Sequence, residues 1–570
     1  MLSEIRYTGR KKSTVLDTFR GIRPNRALCD GYLSDAYNMS DEEYPAIRVR
    51  EKRSVMVTLE NALAFAVLDG IFFWVIKENG KYNAYRADKE KPLLQDMQID
   101  EEKRHHIVKM TNYFILFPEG YVLCGAREST VIGTITTYKQ ADEKIAICEN
   151  IFSIGDGKYG GLDAAKNRVT VNLAGTYQKF YKDDGVHVWQ EDENGDVVDG
   201  TETYAVIREV SQGIGPSGRI LQYLDFYENT FSQSVAPNED YSDHADWFVA
   251  REMPDMDFVF ASNNRLWGCK GSKLYASVMG DPYNWNVFES KSWDSWQWDS
   301  GGEGEFTGGA DVLGTPVFFK EHAIVRVLGT TGAPSEYETR EYPYFGVKKG
   351  CGDSIQTAGK YVFYLGVDGV YAYSGGVPAR VSGMLSERMH ANGVAVSDSE
   401  KYYLCCENAA GESALYVYNT TTGNWYVEQC DGLAPGGGYQ DGLWVMDKNG
   451  RVMTLGAYNG VLQVSKEDAI SWRFETGDFI QGAIGAKYLS RIVIRYGAEK
   501  GARFDVEISY NGEENWRTVG RVDCKQGRSS CSFPIVSRRA DSVRIRVSGE
   551  GNVTVYQIAL EGQSGSTFVR

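Results

Sequence analysis

One local pattern constrains this chain more than any other: a short aromatic or β-branched run, a turn, then a second short run. It occurs as GIFFWVIKENGKYNAY (70–85), NYFILFPEGYVLC (112–124), NRLWGCKGSKLYAS (264–277) and TPVFFKEHAIVRVLG (315–329). It returns as KYVFYLGVDGVYAYSGG (360–376), KYYLCCENAAGESALYVYN (401–419) and DGLWVMDKNGRVMTL (441–455). Alternation at period two on both sides of each turn predicts β-hairpins, because successive strand side chains point to opposite faces. From Asn264 onward the units start roughly 40 to 50 residues apart, the spacing of four-stranded propeller blades. Composition agrees: 36 Tyr and 62 Gly against only 14 Pro favour many strands joined by glycine turns. Convincing amphipathic helices are almost absent. The expected fold class is all-β: a β-propeller with an inserted small β-barrel domain and a C-terminal β-sandwich.

The rhythm of the pattern sets the expected domains. Residues 1–58 show no clear strand set and read as an extended N-terminal arm laid over something else. Residues 59–127 supply the first propeller strands. Between Cys124 and Asn264 the spacing breaks, and the stretch is charged and glycine-rich with strand-like pieces RVTVNL, TYAVIREV and RILQYLDFYENTF. A small β-barrel inserted at 128–245 explains both facts; degenerate blades in the same stretch are the alternative. Residues 246–465 carry the remaining blades. In 466–570, RIVIRYG, ARFDVEISY, WRTVGRV, SVRIRVSG and NVTVYQIAL recur at the short spacing of a β-sandwich.

Charge is unevenly spread. Residues 1–58 hold 11 Lys and Arg against 8 Asp and Glu, and residues 466–570 hold 16 against 13. The net charge of −16 therefore leaves −22 on the stretch between. A protein that grips phosphates shows the opposite sign, so this surface repels nucleic acid or serves solubility. MLSEIRYTGRKKS has basic residues with no apolar run behind them, so no signal peptide is expected, and ALAFAVL and GIFFWVI are too short to span a bilayer. None of the ten cysteines sits in a CxxC, and reduced buried thiols are expected. Cys524 and Cys531 flank a short turn and could face each other as a disulfide.

A screen for chemistry finds no catalytic, cofactor or metal site. GIGPSG (213–218) has GxGxxG spacing but precedes a strand, so no helix N-terminus is there to take a phosphate. DENGDVVDG has Asp192, Asn194, Asp196 and Asp199 at calcium-like spacing, but Val197 replaces the required glycine and Thr203 the bidentate glutamate. The six histidines form no HExxH, and His105 and His106 point apart if they lie on a strand. Asp243, Asp246 and Glu252 cluster without pairing as acid and base, so no enzyme is expected. One feature needs a purpose: GDPYNWNVFE followed by SWDSWQWD sets Tyr283, Trp285, Phe288, Trp293, Trp296 and Trp298 within a few residues. They pack between blades or, interleaved with Asp294 and Asp299, form a subunit contact.

Several phrases, in order along most of the chain, carry a resemblance. DGYLSDAYNMSDEEYPAIRVREKR is similar to the opening segment of a group of bacteriophage virion proteins, and KLYASVMGDPYNWNVFES resembles their blade phrase. SGRILQYLDFYENTF is similar to the end of their inserted domain. KYLSRIVIRYGAEKGARFDVEISYNGEENWRTV and FPIVSRRADSVRIRVSGEGNVTVYQIAL, with Arg538 and Arg539, resemble their C-terminal sandwich. The group looks like the propeller-containing tail hub, or nozzle, proteins of short-tailed phages, which stabilise packaged DNA. The resemblance implies a structural virion protein in a homo-oligomeric, hexameric ring below a portal and adaptor. It also implies viral DNA in the bore without sequence-specific binding, docked tail fibres or other tail proteins, no cofactor, and assembly in the host cytoplasm. The rivals are a host-surface glycan receptor-binding protein, a propeller glycosidase, and a WD-repeat scaffold, whose GH and WD signature no blade carries.

Overall fold

The computed structural model describes residues 11–24, 30–123, 304–479, 487–536 and 539–564, together with the strand-bearing segments between 152 and 301. The chain forms two compact units, Phe73–Lys349 and a second made of Met1–Phe72 with Gly350–Arg570. It is all-β as expected: the helical elements among the described residues are short 3-10 turns at Pro334–Glu336, Gly352–Ser354 and Gly383–Arg388. No helix there is long and apolar enough to cross a membrane.

Within Phe73–Lys349, four-stranded antiparallel meanders of the propeller-blade type follow one another. One runs Phe258–Ser262, Arg265–Lys270, Lys273–Ala276 and Trp296–Asp299. The next runs Gly308–Val312, Thr315–Phe319, Ile324–Leu328 and Glu338–Tyr342. Asn263 and Asn264 turn the first hairpin at φ 49° and 57°, in the left-handed region that Asn tolerates and a two-residue hairpin requires. A three-stranded sheet of His106–Met110, Tyr113–Phe117 and Tyr121–Val122 precedes them. The strand-like pieces expected around 128–245 lie in a seven-stranded antiparallel sheet whose long strand Thr203–Ile214 pairs with both Gly185–Glu191 and Ile220–Phe226. That sheet has its own core, including Val169, Val186, Val188, Leu224, Trp247 and Val249.

The other unit holds further sheets of the same type: Gln356–Ala358 to Ala379–Arg380, then Ala391–Ser397 to Trp425–Glu428. Inner strands such as Lys401–Glu407 are buried on both faces, which is why KYYLCCE reads as a nearly continuous apolar run. The sheet of Gly438–Tyr439, Leu443–Met446 and Arg451–Leu455 takes its next strand from far upstream: Ser54–Thr58 pairs with it, Thr58 opposite Arg451. Gly436 and Gly438 let the backbone approach strand Ala62–Leu68; a Cβ on them would sit 1.9 Å from the Phe65 carbonyl oxygen and 2.1 Å from that of Val67.

The C-terminal region packs two sheets face to face, with the Tyr496 ring on one meeting Phe504 on the other at 5.1 Å. Strand Arg503–Tyr510 alternates cleanly, with Phe504, Val506 and Ile508 inward. The N-terminal arm joins this region to the blade-type sheets. Lys11–Leu16 and Ile47–Val49 pair with Val553–Ser564. Leu33–Tyr37 inserts between Trp425–Glu428 and Ser471–Thr476, giving one nine-stranded sheet that runs from a blade-type meander into the sandwich.

Buried polar contacts hold the arm in place. The Asp41 carboxylate accepts hydrogen bonds from Asn419 Nδ2 (3.1 Å), Thr422 Oγ1 (2.6 Å) and Asn424 Nδ2 (3.2 Å). Arg50 donates through both terminal nitrogens to Glu467 (2.7 and 2.9 Å) and through Nε to Asn38 Oδ1 (3.0 Å). Arg53 donates to Glu428 (3.1 Å) and to the Gln429 carbonyl (2.7 Å).

Candidate functional site

The aromatic-rich stretch is the first place to look for a site, and its described part is mostly interior. Trp296 begins the fourth strand of its meander and packs on Trp267, which is fully buried, with ring centroids 5.7 Å apart. Tyr337, just ahead of strand Glu338–Tyr342, stacks on Trp267 at 6.1 Å, and Phe306, Phe318, Val325 and Val327 join the cluster, with Trp298 packed against it. Trp285 is buried, its indole N–H donating to the Pro282 carbonyl at 2.8 Å. Trp293 is 51% exposed. Tyr283 and Phe288 lie outside the described residues. Trp285 and Trp296 are therefore core rather than contact surface, because a large ring at a sheet-to-sheet seam gains more from burial than from exposure. Trp293 is the described ring that remains open to a partner.

Arg265 keeps this stretch folded. Fully buried at the start of strand Arg265–Lys270, it donates to the carbonyls of Ser277 (2.6 Å), Asp294 (2.6 Å) and Ser292 (2.9 Å). Burial pulls its guanidinium pKa below the ordinary value. No sequence signal announces that role, since Arg265 stands in a turn-flanking position ordinarily exposed.

The polar side chains that converge on one surface lie elsewhere in Phe73–Lys349. A groove of about 590 Å³ is lined by Glu305, Lys320, Glu321, His322, Glu341 and Lys349, brought together from three loops and the strand Glu338–Tyr342. Lys320 is buried, with Nζ 3.6 Å from Glu341 and 5.1 Å from the centre of the Phe306 ring. Lys349 Nζ pairs with Glu305 at 2.9 Å, and that hydrogen bond holds the Glu305 carboxyl below the usual carboxylate range. Glu305 is thus an ionised acceptor at neutral pH and not a proton donor. Residues this far apart in sequence carry no spacing motif, so the groove was invisible to sequence reading.

The other candidates stay separate. His105 bonds Glu119 (2.9 Å), while His106 Nε2 lies 3.3 Å from the backbone of Val259. Burial pushes the His106 imidazole down to about 4. A histidine held neutral stabilises the fold above its unfolded pKa and loses that contribution as pH falls below about 6.5, by about 1.4 kcal/mol per unit until about pH 4. Urea melts between pH 7 and 4.5 are expected to show this loss, and His106→Gln to flatten it; an unchanged slope in the variant would locate the acid sensitivity elsewhere. Asp243, Glu252, Asn194 and Asp196 lie outside the described residues, as does most of GIGPSG. Among the described residues, no group of three or more His, Cys, Asp or Glu is placed to hold a metal ion. Cys524 and Cys531 are free thiols, with Cys531 directed at the Ile494 carbonyl (3.8 Å), so the suspected pair is not joined.

No family model matches this chain, and no curated protein matches it. Solved structures similar to it include an exo-β-1,3-galactanase from Phanerochaete chrysosporium with galactose, at 11% identity and TM-score 0.22, covering 53% of this chain and 94% of that one. A glycoside hydrolase family 43 arabinoxylan arabinofuranohydrolase from Bacillus subtilis matches at 9% identity and TM-score 0.16, over 72% of this chain and 96% of that one. A Trypanosoma rangeli sialidase matches at 10% identity and TM-score 0.16, over 97% of each. The glycoside hydrolases among these matches correct the expectation that the chain is not an enzyme. At such scores the likeness assigns no activity in its place.

Proposed function

We propose that this chain is a structural subunit of a bacteriophage tail, forming a ring-shaped hub or nozzle that holds and conducts DNA and docks fibres or other tail proteins. The observation that carries the reading is the threading of the N-terminal arm. Leu33–Tyr37 is hydrogen-bonded into one nine-stranded sheet between a blade-type meander and the sandwich, and Ser54–Thr58 completes a second meander. Pulling these modules apart requires breaking strand pairs together with the buried Asp41 and Arg50 contacts, as suits a part that bears load. The acidic stretch between the basic ends supports a conduit, since like charge keeps a polyanion from sticking to the wall. The ordered phrases that resemble those of tail hub proteins support the same reading.

Electron-microscopy class averages of the purified chain, alone and with its neighbouring portal–adaptor complex, test the proposal. The expected result is closed, six-fold rings with a bore wide enough for duplex DNA, stacked on that complex. Isolated particles that ignore the complex would overturn it and favour a peripheral, glycan-directed role. In rings, Trp293→Ala is expected to weaken assembly without lowering the melting temperature of the subunit.

A further inference from the structure

We propose that Cys405 and Cys430 are a redox pair, joined as an intrachain disulfide when the protein meets a low-molecular-weight disulfide such as oxidised glutathione. The two sulfurs lie 3.7 Å apart inside one buried cluster with Leu415, Val417, Leu433 and Val445. Bond formation needs them to close to about 2.05 Å. Cys405 sits on strand Lys401–Glu407, and Cys430 follows strand Trp425–Glu428 of the same sheet, just before the chain crosses to Gly438–Tyr439. Neighbouring Cys406 points to the opposite face of its strand, so the adjacent thiols are not interchangeable.

The surroundings divide the labour between the two sulfurs. The Cys405 thiol donates to the Cys430 sulfur. That bond, backbone donation at Gly432 and the charge of Arg53 draw the Cys430 thiol below its ordinary value despite its burial, while the same bond and burial push Cys405 up. Cys430 is therefore the attacking thiolate. It displaces one thiol from the small disulfide to give a mixed disulfide; the Cys405 sulfur then attacks Cys430 and releases the second thiol. Two cysteine thiols and one small disulfide yield one protein disulfide and two small thiols, which carry the two protons. The bond ties the crossing segment after Glu428 back to the inner strand of the sheet it leaves. It closes a short loop and so restricts the unfolded chain. The inference stands independently of the tail assignment.

The test incubates the full-length chain with oxidised glutathione, in buffer and at the urea midpoint where buried thiols are exposed. Remaining thiols are then alkylated in denaturant and the peptides mapped by mass spectrometry. Cleavage after Glu407, Glu412 and Glu428 places Cys405 and Cys430 on separate peptides. The expected result is a Cys405–Cys430 linked pair lighter by two hydrogens, with a melting temperature raised by about 5 °C and restored by reductant. Cys430→Ser should abolish link and shift, while Cys406→Ser should keep both. Glutathione or alkyl groups on Cys430 without the linked pair, or linkage through Cys406 instead, would overturn the proposal.

Discussion

Replacing Arg265 with methionine is expected to cost about 3–5 kcal/mol of stability, read by urea denaturation followed through tryptophan fluorescence. Methionine keeps the apolar stem but supplies no donor to the Ser277, Ser292 and Asp294 carbonyls that Arg265 now holds at 2.6–2.9 Å. The Ser277 and Asp294 carbonyls, left buried and unpaired, each carry a desolvation penalty. Arg265→Lys keeps the charge without the planar fork, so an intermediate loss is expected. The consequence reaches beyond the side chain, because the Ser292 and Asp294 carbonyls flank Trp293 in the stretch that leads into the Trp296–Asp299 strand. A loss below about 1 kcal/mol would mean that water replaces the guanidinium and that the aromatic turn is held by packing alone.

Arg50→Met is expected to cost a similar amount, about 3–5 kcal/mol, and to loosen the N-terminal arm. The side chain is nearly inaccessible and anchors two distant parts at once, Asn38 in the arm and Glu467 ahead of the sandwich. Burial opposes ionisation of Glu467, but the hydrogen bond and charge of Arg50, together with the backbone N–H and charge of Arg53, outweigh it and hold the carboxyl below the usual range. Its contribution is therefore present above the unfolded carboxylate pKa of about 4.3 and is lost as pH falls through the lower folded value. Glu467 retains some solvent, so the double variant Arg50→Met, Glu467→Leu should recover part of the loss by removing the stranded charge. Brief trypsin treatment checks the arm directly. Cleavage after Arg48 or Lys52 should speed up in Arg50→Met, and unchanged protection would assign the arm's hold to strand pairing and Asp41.

The fold class was legible in the chain because its signals are local. Hairpins such as SNNR and KNGR announce themselves through residues that tolerate positive φ, and KYYLCC shows by unbroken apolarity that both faces of its strand are covered. The arm was legible only as an absence of rhythm. Its partners, Val553–Ser564, Ser471–Thr476 and Arg451–Leu455, stand hundreds of residues away, and pairing at that separation leaves no spacing to read. The cysteines teach the same point in reverse. Cys524 and Cys531 stood close in sequence and remain free, whereas Cys405 and Cys430 meet because a chain crossing folds back on its own sheet.

The candidate site divides along that line. Sequence marked the cluster from Tyr283 to Trp298 as exceptional but left it between core and surface, because an aromatic residue suits either setting. Tertiary structure assigned Trp285 and Trp296 to the interior and left Trp293 open, since that choice depends on which neighbouring sheet supplies Tyr337 and Phe318. It alone assembled the groove of Lys320, Glu341 and Glu305 from two loops and a strand and set the buried Arg265 among carbonyls. By itself the sequence determined periodicity, turn chemistry and charge distribution, all properties of neighbours along the chain. What touches what across the sheets was decided by packing, where burial and hydrogen-bond satisfaction act between residues that no local pattern connects.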